Sequence, residues 1–187
     1  MARFECHAHT MYSNLRMLDS ICQPRALIDY AQEIGLTGIA ITDHESLSSY
    51  VELDKIQQEL LDSGNTFKVA RGDEIYLTDT RDKGQKYWHF ILIAKDAIGC
   101  KALRELSSIA WINSYFDRGL ERVPTLKSDL EKIVNKYGKG HLIFSTACLG
   151  SELDHFILEM DKAEKENRQQ DRKLYHNKIV KFIQWCN

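Results

Sequence analysis

The sequence predicts an α/β fold of repeated strand–helix units, and three observations carry that reading. Short apolar runs alternate with longer amphipathic ones along the 187 residues. Proline and glycine punctuate the amphipathic runs where helices begin and end. The apolar runs also carry a histidine, carboxylate or thiol, mostly near their C-terminal ends. In a parallel barrel those ends meet at one opening, where loops converge and chemistry happens.

Five runs read as strands: "ARFECHA", "TGIAITD", "FKVARGDEIYL", "YWHFILIA" and "HLIFSTA". A first helix is expected from Pro24 to about Ile34, with proline suited to its first turn and Gly35 placed to stop it. Ala26, Leu27, Tyr30, Ala31 and Ile34 would form its apolar stripe. A second helix spans 47–63 and is closed by Gly64; a third runs from Ala97 to about Phe116. Ser128 and Glu131 have capping-box spacing before "KIVNKYG", a fourth helix with a terminal glycine. The tail at 161–187 is charged, then amphipathic through Leu174, Ile179, Val180, Ile183 and Trp185, and reads as a C-terminal helix docking one face. No internal repeat or low-complexity linker is evident.

A single domain of this length buries a substantial core. The apolar fraction is 43%, yet no apolar run approaches the roughly 18 residues of a membrane span, and no signal-peptide pattern opens the chain. A net charge of −2 argues against a domain that grips nucleic acid through its own basic surface. It leaves room for an enzyme whose DNA is held by another domain. The five cysteines, Cys6, Cys22, Cys100, Cys148 and Cys186, are odd in number and form no CxxC pair, which suits a reduced, cytoplasmic chain.

The polar residues fall in a pattern. On strict alternation Glu5, His7 and His9 share one face of the first strand, so both imidazoles enter the same space, as two ligands of one metal would. Asp43 and His44 end the second run, Asp73 and Glu74 lie in the third, and Cys148 follows the fifth. His89 stands in an apolar strand where an unpartnered ring would be costly. Singly each has a plain explanation: Asp43 a helix cap, Glu74 a surface carboxylate, Cys148 a buried thiol, His141 a structural histidine. Together, mixed histidine, carboxylate and thiol suit a cluster of two or three zinc or manganese ions.

The stretches "HAHTMYSNLRMLDS", "GIAITDHESL", "RGDEIYL", "HFILIAKDAIGCKALRELSSIAW" and "STACLGSEL" occur in this order. They resemble the PHP (polymerase and histidinol phosphatase) domain at the N-terminus of bacterial DNA polymerase III alpha subunits, over nearly the whole chain. The resemblance implies a distorted (β/α)7 TIM-like barrel binding up to three zinc or manganese ions. By motif, the ligands would be His7, His9, Asp19, His44, Glu74, His89 and Cys148, with Asp43 supporting the loop. Of these, His7, His9, Asp19, His44, Glu74 and His89 would also carry the catalysis. In some relatives the site is a 3′–5′ proofreading exonuclease; in others it is a scaffold that helps bind a separate exonuclease subunit.

The family pattern continues past "FIQWCN" into another strand and an Asp-x-His ligand pair. Five strand candidates are also too few to close such a barrel. The expectation is therefore an incomplete barrel from the N-terminal part of a larger subunit, with an open sheet edge. Three functions compete: phosphodiester hydrolysis at a DNA 3′ end, a metal-stapled or metal-free scaffold, and a small-molecule phosphatase. The polymerase-like "HFILIAKDAIGCKAL" argues against the third. No polymerase aspartates are evident, so nucleotide addition is not expected of this piece.

Overall fold

A computed structural model describes every residue except 1, 2, 16, 17, 19 and 118. Among the described residues, the strands are β1 (Phe4–Ala8), β2 (Gly38–Ile41), β3 (Lys68–Thr78), β4 (Trp88–Ala94), β5 (Tyr115–Asp117), β6 (Leu120–Arg122), β7 (Pro124–Leu126) and β8 (Leu142–Thr146). The α-helices are α1 (Pro24–Glu33), α2 (Tyr50–Asp62), α3 (Ala97–Ile112), α4 (Lys127–Tyr137), α5 (Glu152–Lys165) and α6 (Gln169–Cys186), and a 3₁₀ turn occupies Met11–Leu15. Among the described residues, no helix is long and apolar enough to cross a membrane.

The main sheet has the order β1-β2-β3-β4-β8. β1, β2 and β3 are parallel, whereas β4 is antiparallel to β3 and β8 antiparallel to β4. This mixed α/β sheet differs from the all-parallel strand set expected of a regular barrel. The difference matters for the site, because His89 lies at the start of antiparallel β4, opposite Tyr76 near the end of β3.

β3 organises the sheet. Its first residues pair with β2 as far as Arg71↔Ile41, and its last pair with β7 from Tyr76↔Pro124. Between them the loop after β2 takes over the ladder. Glu74 N–H donates to the Asp43 carbonyl at 3.1 Å and Glu45 N–H to the Glu74 carbonyl at 3.0 Å. Tyr76 N–H then donates to the Glu45 carboxylate at 2.6 Å. Backbone groups buried in a sheet need such partners.

The two sheet faces differ in side-chain size. Ile39, Ile41, Val69, Ile75, Leu77, Phe90 and Leu92 join the large core built with the helices. The other face carries Ala40, Ile91 and Ile93 with Ala70 against them. Gly72 lies on this face too, and a Cβ there would meet the Leu92 carbonyl oxygen at 2.8 Å.

Several sequence expectations are corrected. β5, β6 and β7 are three-residue strands, too short to show a period; α3 stops at Ile112 and is followed by the antiparallel pair β5 and β6. Ser128 caps nothing: β7 runs directly into α4, whose N-cap is Leu126, and the Glu131 carboxylate accepts from Trp185 Nε1 at 2.6 Å. The tail is two helices rather than one. They break at Asn167, whose φ of 56° is a left-handed value that asparagine tolerates. They then pack as an antiparallel pair, with Arg172 near Glu164 and Lys178 near Phe156.

The apolar stripes are also rotated from their expected positions. In α1, Ile28 and Ala31 are buried, while Tyr30 and Ile34 are 57% and 53% exposed. In α6 the anchor is Phe182, whose ring meets Phe90 and Trp185, while Leu174, Val180 and Ile183 stay exposed.

Candidate metal centre

Glu74 sits in the middle of β3 with 1% of its surface exposed, and four imidazoles converge on its carboxylate. Oε2 lies 3.0 Å from His7 Nε2, 2.9 Å from His9 Nε2 and 3.3 Å from His44 Nδ1; Oε1 lies 2.8 Å from His89 Nδ1. Two triads result, His7–His9–Glu74 and His44–Glu74–His89, each with donor atoms within 4.8 Å of one another. The rings are packed as well as aimed. His9 stacks on His44 at 4.4 Å, and Tyr76 lies against both His44 and His89.

His7 and His9 reach this point by a route that alternation alone does not describe. The β1–β2 register shifts between Glu5 and Ala8, so Phe4 pairs with Gly38 and Ala8 with Ile41. One extra residue in β1 bends the strand and re-aims its side chains. His44 arrives from the loop after β2 and is fixed by its bridge to Glu74.

Electrostatics favour a charged Glu74. Burial pushes its carboxyl up, but the close imidazoles of His7, His89 and His9 and the nearby His44 overcome this and hold it well below the usual range. Asp73, its neighbour, goes the other way. Burial first and the charge of Glu45 second push its carboxyl well above the ordinary range, against a hydrogen bond from Ser46 N–H.

The donor set fits a divalent cation. The Nε2 atoms of His7 and His9 face each other at 2.9 Å while both face Glu74 Oε2. Both cannot carry hydrogen there without collision, and a neutral imidazole offers a lone pair on its bare nitrogen. Imidazole lone pairs around an ionised carboxylate are donors that suit a divalent transition metal.

The structure thus brings five of the expected ligands together. Cys148, exposed in the turn after β8, lies outside the two triads but places its Sγ 3.6 Å from His89 Nδ1. Asp19 lies outside the described residues. Asp43 supports the loop, accepting from Thr10 N–H at 2.7 Å and from the Thr10 and Ser13 hydroxyls at 2.9 Å. His141 serves structure, its Nδ1 2.7 Å from the Asp96 carboxylate that caps α3.

Thr10, Ser13 and Glu45 escape sequence reading. The one available signal was small hydroxyls just after the paired histidines. Glu45 adopts φ 44°, and its carbonyl accepts from Trp111 Nε1 at 2.9 Å, joining the His44 loop to α3.

The family described as the PHP domain matches residues 5–184. The DNA-directed DNA polymerase of Bacillus phage SPbeta is 38% identical over 192 aligned residues, covering 97% of this chain and 15% of that protein. The DNA polymerase III subunit alpha of Borreliella burgdorferi is 32% identical over 159 residues, covering 81% of this chain and 12% of that protein. The chain therefore spans about one-seventh or less of the length of these relatives. A crystal structure from Bifidobacterium adolescentis overlays 58% of this chain and 34% of its own at 20% identity, with a TM-score of 0.37.

Proposed function

The chain belongs to the PHP domain family, and we propose that its imidazole cluster is the metal centre of a phosphoesterase site acting on phosphodiester bonds at the 3′ end of DNA. The carrying observation is the convergence of His7, His9, His44 and His89 on Glu74. Each triad would hold one zinc or manganese ion, with Glu74 shared between them. Cys148 and Asp19 remain candidates for further coordination.

A divalent cation held by these histidines and Glu74 would lower the pKa of a water and stabilise charge on a leaving oxygen. The chain's own residues supply the rest. Glu74 is the buried, ionised floor, while His7, His9 and His89 are partly exposed and form the mouth through which a phosphate would approach. Tyr76 and the stacked rings restrict the imidazoles to one orientation, which limits the reorganisation that binding requires.

The reading places this domain beside the remainder of a DNA polymerase alpha subunit in the cytoplasm. Its role there would be 3′–5′ proofreading. The polymerase relatives support that context, since their names concern DNA synthesis.

A second reading has its own support. The cluster links β1, the loop after β2, β3 and β4, so bound metal could act as a staple in a scaffold for the polymerase and a separate exonuclease subunit. One experiment separates them. With zinc or manganese, the protein should release nucleotides from a 3′-labelled single-stranded oligonucleotide, with little action on p-nitrophenyl phosphate, and His9→Ala should abolish release. Metal uptake with a raised melting temperature but no ester cleavage would favour the scaffold.

A further inference from the structure

We infer that Ser13 sets the tautomer of His9 and so aims its Nε2 lone pair at the metal position; the inference rests on the metal reading above. Ser13 lies in the 3₁₀ turn after β1 and is fully buried. Its Oγ has three neighbours: Asp43 Oδ1 at 2.9 Å, His9 Nδ1 at 3.0 Å and His44 N–H at 3.2 Å.

A hydroxyl has one hydrogen to donate and two lone pairs to accept with. His44 N–H can only donate. Asp43 Oδ1 already receives Thr10 N–H at 2.7 Å and the Thr10 hydroxyl at 2.9 Å, so it is an acceptor toward Ser13 as well. The Ser13 hydrogen therefore goes to Asp43. Both remaining lone pairs accept, one from His44 N–H and one from His9 Nδ1–H. With the proton on Nδ1, neutral His9 presents a bare Nε2, the atom 2.9 Å from both Glu74 Oε2 and His7 Nε2.

Ser13 is thus a positioning residue acting through His9, and it also fixes the backbone that carries His44. A ligating histidine commonly gives its second N–H directly to a carboxylate or carbonyl. Here the carboxylate of Asp43 acts at one remove, through a serine. Losing such a partner weakens metal binding by about 10- to 100-fold.

The test uses protein labelled with ¹⁵N at histidine. Long-range proton–nitrogen correlation reads the ring tautomers, with and without zinc, and competition against a chelator gives zinc affinity. The wild type should show His9 protonated at Nδ1 in both states. Ser13→Ala should keep its zinc stoichiometry, bind about 10- to 100-fold more weakly and lose the wild-type His9 Nδ1–H signal. Ser13→Thr, which retains the hydroxyl, should recover most of the affinity. If Ser13→Ala does not fold, Ser13→Cys keeps the volume with a weaker acceptor and carries the comparison.

An Nε2–H tautomer at His9 in the wild type overturns the inference. So does Ser13→Ala binding zinc within twofold of the wild type. A wild type that takes up no zinc defeats the metal reading and this inference with it, whereas zinc uptake insensitive to Ser13 defeats the inference alone.

Discussion

Substitution of Glu45 separates two opposed contributions at the loop that carries His44. The residue is fully buried, its carboxylate accepts from Tyr76 N–H at 2.6 Å, and its φ is 44°. Leaving a buried N–H unpaired costs about 1–3 kcal/mol. A left-handed conformation costs a residue with a Cβ about 1–2 kcal/mol, which glycine avoids. Glycine in turn loses about 0.5–1 kcal/mol through greater freedom in the unfolded chain. Glu45→Ala keeps the strain and loses the bond, so it should cost about 2 kcal/mol. Glu45→Gly should be less damaging than alanine by about 0.5–1 kcal/mol. Glu45→Gln keeps an acceptor and removes charge beside Asp73, and should stay within about 1 kcal/mol of the wild type.

Urea unfolding followed by circular dichroism measures this series. With a slope of about 2 kcal/mol/M, the alanine variant should lose about 1 M in midpoint at unchanged slope. The order should be glutamine, glycine, alanine. Alanine as stable as glutamine would refute the role of the Tyr76 bond, and alanine more stable than glycine would refute the strain.

Other perturbations follow from the same structure. Leu92→Ala, at a fully buried position in β4, should cost about 2–5 kcal/mol by urea unfolding. Gly99→Ala in α3 gains about 1 kcal/mol of helix propensity, but its Cβ would lie 2.2 Å from the His141 carbonyl oxygen, so calorimetry should show a lower melting temperature. At Asp129, burial pushes the carboxyl up, but Lys132 and Arg81 overcome this and hold it below the ordinary carboxylate range. A depressed carboxylate stabilises the fold above its unfolded pKa of about 3.9 and loses that contribution as pH falls through the folded value. Arg81→Ala should therefore cost about 1 kcal/mol near pH 6, and its unfolding curve should approach that of the wild type below about pH 4.

The five longer strands were legible because each combines an apolar run with β-branched or aromatic residues. β5, β6 and β7 were not, because three residues carry no period. The Ser128–Glu131 spacing satisfied a local rule, but the pairing of β7 with β3 decided where α4 begins. At the site, residue types gave the ligand candidates, and His89 stood out as a polar ring in an apolar strand. Their arrangement required long-range information: the β1 register shift and the antiparallel placement of β4 bring His7 and His89 to one carboxylate. Sequence motifs weigh Glu74 equally with the other ligand candidates, whereas burial and four imidazole partners make it the centre.

The central claim is that these five side chains hold metal. Mass-spectrometric metal content should be measured on untagged protein loaded with zinc or manganese and then desalted, beside His7→Ala/His9→Ala and Glu74→Gln. The two triads predict two ions per wild-type chain, with the histidine variant losing one and Glu74→Gln losing most of both. A wild type that retains no ion, or a Glu74→Gln protein that loads as fully as the wild type, would contradict the account.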